Sequence, residues 1–100
     1  NMSMVKVIDT WTCRLPAEPE RHGKRADGSE WSIPASDERT ATLALVRDEL
    51  SGVQVNIELP VGPELSKVVS ESVIQVEIPD FPDTPIRARR LTRVIPPAKR

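Results

Sequence analysis

Phosphate-binding side chains are the most suggestive chemistry in this sequence. Arg87, Arg89, Arg90 and Arg93 lie close together, with Lys99 and Arg100 just behind. From residue 86 to the end there are six basic side chains and no acid. Residues 1–85 carry eight basic and fifteen acidic ones, so a net charge of -1 conceals a dipolar chain. On an unbroken strand Arg87, Arg89 and Arg93 would share one face. Such a stripe would neutralise phosphates and release counterions, giving salt-sensitive binding. A second basic group, Arg21, Lys24 and Arg25, precedes Trp31. Trp31 could stack on a base or anchor a contact. Structural roles compete with both. The last strand could pair with Glu58 or Glu77, and a positive edge strand resists edge-to-edge aggregation. Trp31 could instead fold over one end of a barrel as a lid.

Other chemistries lack their residues. Cys13 is the lone cysteine and His22 the lone histidine. Together they cannot supply a zinc site, and no Asp-rich calcium loop is present. A serine triad would have to use His22, which lies in a charged stretch with no apolar wall to fix the ring. There is no phosphate-cradling glycine motif. Asp80 and Asp83 are the nearest carboxylate pair, in a proline-rich loop with nothing to build a cleft. We therefore expect no enzyme activity, no metal and no cofactor. The longest apolar run is too short to span a membrane, and no secretory leader opens the chain. Together with the absence of a disulfide pair, this fits a reducing, cytoplasmic compartment.

The elements that must position these residues read as strands. A chain of 100 residues is expected to form one domain. Asn1, ahead of Met2, reads as a tag remnant, and residues 96–100 as a frayed tail. Residues 4–15 alternate, placing Val5, Val7, Trp11, Cys13 and Leu15 on one buried face, with a break at Asp9 that suggests a bulge. Trp11 is assigned to the core, and Cys13 is read as a buried structural thiol. Residues 16–28 read as loop, and 30–33 as a short strand ended by Pro34. Residues 40–46 form the second firm strand. Residues 53–59 form the third, with Val53, Val55, Ile57 and Leu59 inward. Pro63 opens a segment, 63–70, that fits either a two-turn helix or a turn. Residues 72–78 and 86–95 are the fourth and fifth strands, the last with a bulge. Phe81, between prolines, is a plug or a docking knob.

The five main strands, with a short helix allowed between the third and fourth, resemble the OB-fold order over residues 4–95. The fold class is thus mainly β, a five-stranded OB-like barrel, with a small β-sandwich as the alternative. The likeness implies a small single-stranded DNA-binding protein of the kind found on phages and mobile elements. It also implies ligand contact through the long loops after strands one and four. The third strand departs from that pattern: it would expose Gln54, Asn56 and Glu58, which include no ring and one repelling charge. Two functions follow. One is nucleic-acid binding through Arg87, Arg89, Arg90 and Arg93, with Trp31, Arg21, Lys24 and Arg25 assisting. The other is a protein-interaction or assembly subunit, including a homo-oligomer.

Overall fold

The computed structural model describes residues 2–79 and 85–98. Asn1, the Asp80 and Asp83 pair, Phe81, Lys99 and Arg100 lie outside the described residues. The fold is mainly β and barrel-like. Among the described residues eight strands form, β1 (Met2–Leu15), β2 (Arg21–Lys24), β3 (Glu30–Ile33), β4 (Arg39–Asp48), β5 (Gln54–Leu59), β6 (Val73–Glu77), β7 (Ile86–Arg87) and β8 (Arg90–Ile95). Six of them make one curled sheet in the order β7-β5-β4-β1-β6-β8, and β2 and β3 make a separate hairpin. In place of five strands the main sheet has six, and it is a curled half-barrel. Residues 63–70 hold a single 3-10 turn, Leu65–Lys67, not a two-turn helix. Too few residues there could repeat a helical face.

The last segment explains the extra strand. β7 runs parallel to β5, whereas β8 runs antiparallel to β6. Between them Ala88 N–H donates to the Glu58 carbonyl at 2.9 Å and Arg89 N–H to the Glu77 carbonyl at 2.9 Å. One short run of chain therefore bonds to both β5 and β6. A bulge falls opposite Gln75 and Val76, so Leu91 and Val94 both pack on the core despite their odd spacing.

The core comprises Val5, Val7, Ala44, Val46, Ile57, Leu59, Val68, Ile74, Val76 and Ala88, with Leu65, Ile78 and Ile86 against it. The inward phase of β5 and β6 is as the alternation predicts, except that Val53 precedes β5 and is exposed. Gly28 and Gly52 take positive φ at 87° and 75° in the turns after β2 and β4, where a side chain would be strained.

β1 departs most from its pattern. Its register against β4 slips between Val7, opposite Val46, and Asp9, opposite Leu45. The extra residue, Ile8, reverses the phase of everything after it. Val5 and Val7 face the core. Trp11, Cys13 and Leu15 face the outside with Leu43, Ala41 and Arg39. Trp11 is thus 38% exposed, not a core residue, and Cys13 is only half-buried. The bulge sits where β1 leaves β6: Val7 N–H donates to the Ser72 carbonyl and its own carbonyl accepts from Glu71 N–H, both at 2.8 Å.

Candidate nucleic-acid interface

The segment 16–28, read as loop, contains a strand. β2 pairs with β3 so that Gly23 opposes Trp31 and Lys24 opposes Glu30. The turn between them closes by Arg25 N–H to the Ser29 carbonyl at 2.8 Å and Gly28 N–H to the Arg25 carbonyl at 3.0 Å. Asp27 accepts from the Ser29 hydroxyl at 2.6 Å and from its N–H at 2.9 Å. Those bonds hold its carboxyl below the ordinary range, the hydroxyl contributing most. Arg25 donates through Nη1 to the Glu30 carbonyl at 3.1 Å and the Ser29 hydroxyl at 3.3 Å. Arg21 lies 3.9 Å from Glu18. His22 and Lys24 are exposed.

Trp31 is half-buried, and its ring lies against Gly23 of its own hairpin. Its indole covers Gly23 so closely that an added Cβ there would sit 2.6 Å from a ring carbon. Glycine at 23 is what lets the ring lie down.

The arginines of 86–95 do not form the single-faced stripe expected. Arg87 belongs to β7 and Arg90 and Arg93 to β8, with Arg89 in the kink between. Arg87 donates through Nη2 to the Pro34 carbonyl at 2.6 Å, tying the end of the hairpin to the last segment. Arg90 pairs with Glu77 at 2.9 Å, one of the two acid partners anticipated. The pair is exposed and worth at most about 1 kcal/mol. Arg93 is exposed and sits opposite Gln75. Glu58, the other anticipated partner, is taken instead by Arg39.

That Arg39–Glu58 pair was missed by sequence reasoning. Nε and Nη2 of Arg39 meet the two carboxylate oxygens at 2.9 and 2.7 Å. Nη1 reaches the Ser36 hydroxyl at 3.0 Å and the Asp37 carbonyl at 3.2 Å. The hydrogen bond to Glu58 raises the Arg39 pKa above its ordinary value, against the opposing effect of burial. The repelling charge expected on the third main strand is thereby neutralised.

Three open recesses lie among these parts. One of about 380 Å³ is lined by His22, Gly23, Lys24, Glu30, Trp31 and Ser32. Ser32 also lines a second of about 360 Å³ with Ile33, Pro34, Arg87, Ala88 and Arg89. Arg89 in turn lines a third of about 280 Å³ between residues 60–65 and Arg90, Leu91 and Thr92. Neighbouring recesses share one lining residue each, Ser32 and Arg89; Arg21, Arg25 and Arg93 line none of these recesses. Each recess is at or below the small end for a ligand pocket. Open and shallow, they suit an extended ligand better than a compact one.

No protein-family model matches the chain, and no curated protein or solved structure matches it significantly. No helix among the described residues is long and apolar enough to cross a membrane.

Proposed function

We propose that this chain is a non-enzymatic, OB-like binding module that holds single-stranded nucleic acid along the track from Trp31 to Arg90. The observation that supports this reading is that residues of two basic segments, far apart in sequence, line neighbouring open recesses that share Ser32 and Arg89. Strand order supports the OB-like half. With 86–95 counted as one strand, the main strands run first, second, third, fifth, fourth, and the third and fifth are parallel. That order resembles the one an OB-fold uses. Phosphates would meet Lys24, Arg89 and Arg90, the last exchanging its weak contact with Glu77.

The test is anisotropy of labelled single- and double-stranded oligonucleotides at low and high salt. We expect single-strand binding that weakens steeply with salt, with a slope of about 0.7 per phosphate neutralised. Changing Lys24 or Arg89 to Ala should lower that slope by about that amount. Absence of binding at low salt refutes the reading. The second reading, a protein-interaction or assembly subunit, draws on Leu50, 99% exposed, and Val61, 94% exposed. It calls for concentration-dependent mass in sedimentation and no affinity for nucleic acid.

A further inference from the structure

Arg87 carries a charge that its described neighbours leave unanswered. Strand pairing sets it beside Glu58, yet Arg39 already takes both carboxylate oxygens of that residue. Glu77 pairs with Arg90. Among the described residues the Arg87 guanidinium meets one acceptor, the neutral Pro34 carbonyl at 2.6 Å. Most of its N–H donors are left over by that bond. The recess beside it has a matching character. Its lining is Ser32, Ile33, Pro34, Arg87, Ala88 and Arg89: two arginines, a serine and, among the described residues, no carboxylate. The two neighbouring recesses include Glu30 and Glu64 respectively. Ile33 and Ala88 are buried and give the recess an apolar floor. Ala88 N–H and Arg89 N–H are both taken by sheet carbonyls, which fixes the chain between the two arginines. The recess also spans a seam. β2 and β3 form a sheet of their own, and the Arg87–Pro34 bond ties the end of that hairpin to the main sheet.

We propose that this seam is an oxyanion site for a phosphate monoester, and that the bound group clamps the hairpin to the sheet. The site goes beyond the single-strand reading, since it needs neither Lys24 nor Trp31. Charge complementarity selects the ligand. Guanidinium groups offer planar, forked donors that match phosphate oxygens, and a charged acceptor outcompetes a neutral carbonyl. A monoester near neutral pH carries close to two negative charges, whereas a diester in a nucleic-acid backbone carries one. Two arginines with no described acid between them therefore favour the monoester. Ser32 lines the hairpin side and Arg87 and Arg89 the sheet side, so one bound group touches both bodies. The small volume suits such an anion. Its source is either a free nucleotide or the terminal phosphate of a strand.

The test is thermal melting at fixed ionic strength with inorganic phosphate, thymidine monophosphate or, as the diester, dimethyl phosphate. We expect both monoanion-plus-dianion probes to raise the melting temperature and to bind at least about fivefold more tightly than the diester, the low end for one further charge at close range. Amide hydrogen exchange across residues 21–33 should slow when phosphate is added. Arg87→Gln also removes the bond to Pro34, so Arg89→Gln, which keeps it, decides: affinity for phosphate should fall at least about fivefold. Tighter binding of a terminally phosphorylated oligodeoxythymidylate than of its hydroxyl-ended form assigns the site to strand ends. Equal binding of the two, with thymidine monophosphate still bound, assigns it to free nucleotides. No melting response to phosphate, an equal response to the diester, or a response that Arg89→Gln retains in full overturns the site. None of those outcomes touches the single-strand reading, which stands or falls on the salt dependence of oligonucleotide binding.

Discussion

Removing Arg39 should be the most damaging single charge deletion in the chain. Its side chain is 22% exposed and that of Glu58 13%, so neither is well hydrated. Arg39→Ala takes away both carboxylate bonds and leaves Glu58 in a poorly solvated position. Breaking a fully buried pair costs about 3–5 kcal/mol. Residual exposure here reduces that to about 2–3 kcal/mol. For a domain of this size the melting temperature should fall by about 10–20 °C. Arg39 also bonds to Ser36 and Asp37 at the foot of the hairpin, so protease cleavage within 16–38 should accelerate. Paired replacement, Arg39→Met with Glu58→Leu, should recover most of the loss, because an apolar pair needs no compensation. The pH dependence has a definite sign. A raised Arg39 pKa contributes stability in full below its unfolded value and loses it only as pH rises through the raised one. The penalty of Arg39→Ala should therefore be constant between pH 6 and 9 (about the working range of most assays). Urea titration of the single and double variants measures all of this. A loss below about 0.5 kcal/mol for Arg39→Ala would mean the pair behaves as a hydrated surface contact, and the reasoning fails.

Three smaller changes check other parts. Gly23→Ala should push the Trp31 indole off the hairpin, seen as a red shift in tryptophan emission with little change in the global melt; an unchanged spectrum would contradict the close approach at 2.6 Å. Glu71 has φ +73°, costly for a residue with a Cβ. Glu71→Gly should stabilise by about 0.5 kcal/mol after loss of the exposed Lys6 contact, and a clear destabilisation in urea would show that the ion pair outweighs the strain. The Asp27 carboxyl, held low by Ser29, supports the hairpin turn above its unfolded pKa and releases it only as pH falls through the lowered value. The Ser29 amide resonance should accordingly titrate with a midpoint below the ordinary aspartate range.

The strands with clean alternation were legible because period two is a local property. Ile57, Leu59, Ile74 and Val76 need only their immediate neighbours to declare an inward face. The net asymmetry of charge was equally plain, and so were both basic groups. What distant partners decide was not legible. Asp9 marked the break in β1, but only the register against β4 shows that the phase reverses and carries Trp11 outside. Residues 21–24 offer no apolar alternation, and their strand is defined by its pairing with β3, where Trp31 lies across Gly23. The run 86–95 looks like one strand, yet β5 and β6 both pair with it and divide it at Ala88. Arg39 and Glu58 find each other because β4 and β5 are adjacent and their side chains share a face. Alternation is set by the covalent chain, whereas register, curl and ion pairing are set by which strands meet. The first is written locally in the sequence, and the second is a property of the whole packed sheet.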